Sequence, residues 1–326
     1  MKRFVLLIGL LVCCAVARAQ QDAQFSQYIF NGLYINPAYA GYKEEMFLNS
    51  AFRSQWTGLT GAPTTVSIAT DGTVADGKVG LGLMVNRDQI GAQTNLAAYA
   101  NYAFRIQIGE EDHSKLALGL GAGFVQNGID GTKLNPVTAN DNYIPTGNQS
   151  VVLPDARLGF FYSNDHFFIG GSADNIVAHL VHSATTNSAL LVAVPVVHEY
   201  FTTGALFTLN DQTKFKPSIL IKDAPGAPTS MDVNAFVLLN ERLWLGGTYR
   251  TAIDIYNKPN LQSGMLKSSA MVAMAEFFVD DTFRIGYSYD YSLNKLGSYG
   301  YGSHELSISI RIKSNPYKDK TRNCYF

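Results

Sequence analysis

Four places in this sequence hold residue types that could do chemistry. "GLGAGF" at 119–124 has the glycine content of a phosphate-cradling loop, which requires a strand running in and a helix running out. Here Leu118, Leu120, Ala122 and Phe124 continue one face of a strand straight through, and the glycines keep the other face small. His179 and His182 in "AHLVH", with His198 or Glu199, carry the donors of a zinc site but lack a third ligand at fixed spacing, and read as loop histidines. "DGTVADG" at 71–77 has two aspartates without the ligand spacing of a calcium loop and reads as a solvated hairpin. Ser303 with His304, and Ser163 with His166, are the nearest nucleophile–base pairs. Neighbours along a strand point to opposite faces, and neither pair has an orienting partner. No catalytic residue, cofactor site or metal site emerges, and the reading is of a protein that is not an enzyme.

The elements that would position these residues are strands. In "KVGLGLMVNR", Val79, Leu81, Leu83 and Val85 share one face, with Gly80, Gly82, Met84 and Asn86 on the other. "NLAAYANYAFRIQI" sets Leu96, Tyr102, Phe104 and Ile106 against Asn95, Tyr99, Asn101 and Arg105. "FRIGYSYDY" and "ELSISIRIK" alternate in the same way, with Arg284, Asp290, Glu305 and Arg311 on the wet faces. Period two means strands with one apolar and one polar face. Several runs exceed nine residues, longer than the usual strand of a soluble domain and long enough to cross a bilayer at a tilt. Aromatics near the strand ends, such as Phe160, Phe161, Phe277 and Phe278, fit the girdles at the two interfaces.

Candidate strands fall at 46–55, 63–71, 78–88, 94–108, 114–127, 150–163, 166–174, 197–209, 213–222, 229–239, 241–251, 265–279, 281–291 and 304–313. The chain is therefore predicted all-β: a transmembrane antiparallel β-barrel of about fourteen strands, the even number that single-chain bacterial barrels prefer. Tight turns at 209–212, 239–242 and 279–281 belong on the periplasmic side, and the longer connections at 128–149, 175–196 and 252–263 outside the cell.

Composition agrees. Charged residues are 16% of the chain and aromatics 12%, against roughly 25% charged in soluble domains, yet no mature segment is apolar for a helical span. Lys2 and Arg3, the apolar run from Phe4 to Val12 and Ala17-Arg18-Ala19 make residues 1–19 a signal peptide cut after Ala19. A lipidated Cys13 or Cys14 is the rival, but Leu10, Leu11 and Val12 fit a lipoprotein box poorly. Losing Lys2, Arg3 and Arg18 takes the net charge from −1 to −4, and no basic stripe offers itself to nucleic acid. Cys324 alone survives, so no intramolecular disulfide forms. The organisation is then a signal (1–19), an aromatic segment (20–45), an outer-membrane barrel (46–313) in contact with membrane lipids, and a polar tail (314–326).

The aromatic segment is the unusual part. "FSQYIFNGLYINPAYAG" at 25–41 has no charge and follows neither helical nor strand periodicity. Asn36-Pro37 begins a turn that Gly41 ends, while Arg53 and Trp56 anchor the first hairpin, with Arg53 bonding in the wet mouth. The aromatic side chains have the polar tips and rigid area that interfaces use. The candidates for partner binding or for plugging the lumen, from inside or from the periplasmic side, are Phe25, Tyr28, Phe30, Tyr34, Asn36, Pro37, Tyr39, Gly41, Arg53 and Trp56. A porin-like channel for small solutes is the competing reading. It expects a charged constriction, whereas the wet faces look mostly small or uncharged apart from Arg105, Arg284 and Arg311.

"QFSQYIFNGLYINPAYAG" (24–41), "FRSQWTGLTGAPTT" (52–65) and "YSYDYSLNKLGSYGYGSHELSISI" (287–310) together resemble the PorP/SprF family of Bacteroidetes outer-membrane proteins. The match lies in Gln24 to Tyr28, Asn36 to Gly41, Arg53 with Gln55 and Trp56, Gly61 to Pro63, and the last hairpin. Gly32 stands where a bulkier or proline-like residue is usual, and "NCYF" resembles a variant of the family's cysteine-containing end. The resemblance implies a barrel of the type IX secretion system and gliding machinery, at the cell surface. Its implied partners are a secreted surface protein held through a C-terminal sorting domain and periplasmic secretion components, including a peptidoglycan-linked lipoprotein.

Overall fold

The computed structural model describes residues 24–109, 114–134, 145, 147–185, 195–258, 268–298 and 300–312. The expected signal peptide, the tail with Cys324, and the middles of the long connections lie outside the described residues.

The strands are β1 (Met46–Ser54), β2 (Thr64–Val74), β3 (Val79–Ile90), β4 (Gln93–Gln107), β5 (Lys115–Asp130), β6 (Asn148–Ser163), β7 (Phe167–Asp174), β8 (His198–Ala205), β9 (Phe207–Asn210), β10 (Thr213–Asp223), β11 (Thr229–Leu239), β12 (Leu243–Ile253), β13 (Ser268–Phe278), β14 (Phe283–Ser292) and β15 (Ser303–Ile312). Each pairs antiparallel with its neighbours, β1 with β15 and β10 with β11, so the sheet closes on itself. The closed sheet removes the unpaired edges that hydrocarbon would not tolerate. β8 and β9 are one wall position broken at Leu206, whose N–H donates to His166 O at 2.7 Å instead of to the ladder. The expected fourteen strands thus stand as fourteen positions, with 197–209 split in two.

Alternation sets the two faces. Leu81, Leu83, Val85, Tyr102, Phe104, Leu306 and Ile308 are exposed, as a lipid-facing belt must be, while Asn101, Arg105, Asp290, Glu305 and Ser309 point in and are buried. The short turns before β3, β7, β10, β12 and β14 gather at one end with the start of β1. Left-handed Ala75 with Asp76, and Asn240 with Glu241, give two of them the twist a tight hairpin needs. The long connections gather at the other end. The one after β7 is not irregular throughout: it opens with helix α1 (Ile176–Thr185), whose first-turn N–H groups of Val177 and Ala178 donate to Asp155 Oδ1. His179 therefore sits on a helix, not a loop, and its Nδ1 lies 2.9 Å from Pro195 O.

Candidate functional site

Residues 24–45 lie inside the barrel. The segment folds as three single-turn 3-10 helices, Gln27–Ile29, Gly32–Tyr34 and Pro37–Tyr39. Asn31 caps the second by accepting from Leu33 N. Asn36 caps the third by accepting from Ala38 N, with Pro37 pre-set at its first position. Such short turns leave most backbone groups without an internal partner, and buried ones must find partners elsewhere.

The wall supplies them. Lys216 Nζ donates to Ile29 O at 3.3 Å, Arg157 to Leu33 O at 3.3 Å and to Tyr34 O at 3.1 Å, and Arg105 to Gly41 O at 2.8 Å. Carboxylates take the N–H groups: Glu305 accepts from Ser26 N at 2.7 Å and Gln27 N at 3.1 Å, and Asp71 from Gly41 N at 2.9 Å. Lys43 closes the segment on itself, donating to Phe30 O at 2.7 Å. Residues 24–42 carry no charge because the barrel brings both signs to their backbone. Asp71 was expected in a solvated turn; it is instead a buried member of β2.

The direction of the segment is fixed by its contacts. Gln24, Ser26 and Gln27 sit at the long-connection end, beside Arg250, Arg53 and Glu305. Glu44 and Glu45 reach Lys115 and Arg311 at the short-turn end. The segment therefore runs the length of the lumen; it is packed into the barrel and not beneath it.

Around its start lies an ion network. Arg53 pairs with Asp290 at 2.7 Å and Glu305 at 3.1 Å; Arg250 grips Asp232 through two bonds of 2.9 and 3.0 Å and approaches Asp290 at 3.6 Å; Lys222 reaches Asp232 at 3.0 Å. These groups come from β1, β10, β11, β12, β14 and β15, so the network ties together strands far apart in sequence. Buried ions need such pairing and hydrogen bonding, because each alone would cost several kcal/mol. The expectation of a mostly small, uncharged lumen is corrected: the wall is charged, and its charges are matched among themselves and to the segment. On the opposite wall Arg157 pairs with Asp174 at 2.8 Å, and Tyr99 donates to Asp155 at 2.6 Å.

Glycines give the segment room. A Cβ on Gly80 would fall 1.9 Å from Ala40 O, one on Gly119 2.1 Å from Ala38 N, and one on Gly159 2.2 Å from Asn36 Oδ1. Of the glycines that look like a phosphate loop, Gly119 is a seat for the segment's backbone, while Gly121 and Gly123 lie against Asn101, Arg157 and Ala98 of the wall.

All ten sequence candidates are placed. Phe25, Tyr28, Tyr34, Asn36, Pro37, Tyr39, Gly41 and Arg53 are buried, and Phe30 and Trp56 are half-buried. Phe25 stacks on Tyr34 at 4.4 Å between centroids, Tyr28 bonds Asn234, Tyr34 bonds Ser67 Oγ, and Tyr39 meets Phe161 edge-on. Trp56 stands apart in the β1–β2 connection, where its N–H donates to Ser303 Oγ. The residues that sequence reading passed over are the ion partners: Glu305, Asp290, Asp232, Arg250, Lys222 and Arg157. Their signal was a charge at a wet-face position inside a strand; which charges meet depends on register between distant strands. Among the described residues no group of histidine, cysteine and carboxylate side chains suits a metal ion.

Comparison with known proteins supplies the remaining facts. The model of the family described as type IX secretion system membrane protein PorP/SprF matches residues 17–310. No protein of curated function matches the sequence. Among solved structures, the Ralstonia pickettii toluene transporter TbuX aligns at TM-score 0.50 and 10% identity, covering 91% of this chain and 98% of that one. A Pseudomonas aeruginosa FadL homologue aligns at 0.45 and 10%, covering 92% and 97%, and the Acinetobacter baumannii outer membrane protein Omp33 at 0.46 and 7%, covering 83% and 100%. At 10% identity the likeness to TbuX is one of fold alone: an outer-membrane barrel.

Proposed function

The chain belongs to the PorP/SprF family of type IX secretion system membrane proteins, and from that premise we propose that it is a non-enzymatic anchor whose lumen is closed by its own N-terminal segment. It holds a secreted surface protein through that protein's C-terminal sorting domain and links it to periplasmic components, including a peptidoglycan-linked lipoprotein. The observation that carries the closed reading is the backbone of residues 24–41, bonded on both walls by Lys216, Arg157, Arg105, Glu305 and Asp71. A passive pore has no use for matched charges spent on a fixed internal segment. Because Phe25, Tyr28, Tyr34 and Tyr39 are buried against the wall, they serve closure, and the cargo is met by other surfaces of the barrel.

Purification of the tagged protein from native outer membranes in mild detergent, followed by mass spectrometry, tests the anchoring role. Recovery of a large surface protein ending in a sorting domain, or of periplasmic secretion components, is the expected result. A barrel recovered alone under several detergents, conducting small solutes in planar bilayers, would replace this reading with that of a porin. Deleting residues 22–41 should open a conductance while the strands still form; unchanged conductance and unchanged partners would remove the segment from the function.

A further inference from the structure

The lipid-facing belt thins to small side chains on β7. Across β6, β7 and β8, outward residues pair in rungs, Phe160 with Gly171 and Phe201, then Leu158 with Ala173 and Glu199. β7 thus presents only Gly171 and Ala173 between two rows of larger side chains. The result is an outer-face groove of about 700 Å³, floored by small residues and walled by apolar ones. That volume is within the range of about 300–1,000 Å³ typical of small-molecule sites. Phe160 leans across part of the floor: a Cβ on Gly171 would come within 2.7 Å of its ring.

The upper end of the groove is built. Tyr256 overhangs it, held by a 2.6 Å bond from its hydroxyl to Asp223. Lys258 fixes the same corner by donating to Asp223 at 2.5 Å, Ala227 O at 2.8 Å and Ala224 O at 3.1 Å, so its charge is already spent. Glu199 is different: it is exposed, faces outward at the first rung of β8, lines the groove and makes no ion pair among the described residues.

We propose that this groove binds one acyl chain of an outer-leaflet lipid whose head carries an ammonium group, the chain lying over Gly171 and Ala173 and the ammonium meeting Glu199. The occupant follows from position, since the groove is continuous with the apolar belt that already faces lipid. Its head chemistry follows from Glu199, a carboxylate at the polar boundary that accepts charge-assisted bonds from a cation and repels an anionic head. The site is independent of cargo binding and of the state of the lumen.

The test offers the full-length protein, in detergent micelles, phosphatidylethanolamine or phosphatidylglycerol with matched chains and counts retained lipid by native mass spectrometry. Wild type should retain phosphatidylethanolamine over phosphatidylglycerol by about tenfold, the scale of one good charged contact. Glu199→Gln should keep binding but lose the preference. Ala173→Trp should lower retention of both lipids by about tenfold; its side chain fills the groove from the lipid face, where a bulky aromatic suits a barrel. Heat-induced mobility on a gel confirms that each variant is folded. Equal retention by wild type and Ala173→Trp would overturn the groove, and a preference that survives Glu199→Gln would overturn the head-group assignment. Loss of a co-purifying membrane protein from Ala173→Trp, with lipid retention unchanged, would overturn the proposal in favour of a protein seat.

Discussion

Gly119→Val puts the proposed closure of the lumen to a direct test. The new Cβ would sit 2.1 Å from Ala38 N and 2.4 Å from Ala38 Cα, where unstrained contact needs about 3.5 Å or more. The wall cannot yield, because Gly119 pairs with Ala103 on one side and Gly159 on the other within two full ladders. The segment must therefore move by more than about 1 Å, which stretches the bond from Asn36 to Phe160 O at 2.9 Å and those from Arg157 to Tyr34 O and Leu33 O. With about 0.5–1.5 kcal/mol for a neutral bond and 1.5–3 for a charged donor, roughly 4–7 kcal/mol is at stake. If water entering the lumen restores half, the detached population still rises by a factor on the order of a hundred. Trypsin reads this at Lys43, which is buried with its ammonium on Phe30 O in the intact barrel. Wild type should resist cleavage there, and Gly119→Val should be cut after Lys43 and conduct ions in a planar bilayer. Ala122→Val, on the lipid face of the same strand, is the control and should behave as wild type. A Gly119→Val protein as resistant and as silent as wild type would refute the argument from close approach.

Further outcomes follow from the ion network. Arg53→Met should lower stability by about 3–5 kcal/mol, seen as a lower urea midpoint in micelles, because Glu305 and Asp290 lose their shared cation. Adding Glu305→Gln to that variant should recover part of the loss, a coupling a double-mutant cycle measures. Glu305→Gln alone should speed hydrogen exchange at the Ser26 and Gln27 amides by roughly ten- to a hundredfold and leave the Gly41 amide, held by Asp71, unchanged.

Much of the wall was legible in the chain. Strict alternation in stretches such as 79–86 and 305–312 fixes which residues face lipid, because side chains on a strand have a period of two whatever the neighbours do. The short turns and long connections sorted themselves to two ends for the same local reason. The break at Leu206 left no mark, since a ladder interruption depends on what the adjacent strand offers, here His166 O. Helix α1 was hidden because Asp155, which caps it, lies on another element.

The segment from Gln24 to Tyr42 shows where the sequence stops. Its lack of charge, its aromatics and its Asn-Pro turn were visible, and they marked it as something other than a strand. That it lies in the lumen, and runs from the long-connection end to the short-turn end, was decided only in three dimensions. Its partners, Glu305, Arg157, Lys216 and Asp71, come from four strands whose angular positions exist only once the barrel closes. The glycine seat obeys the same logic: a small residue is written in the sequence, but the backbone that needs its space arrives from far away in the chain. Local periodicity gives each strand its faces; closure of the sheet decides which faces meet.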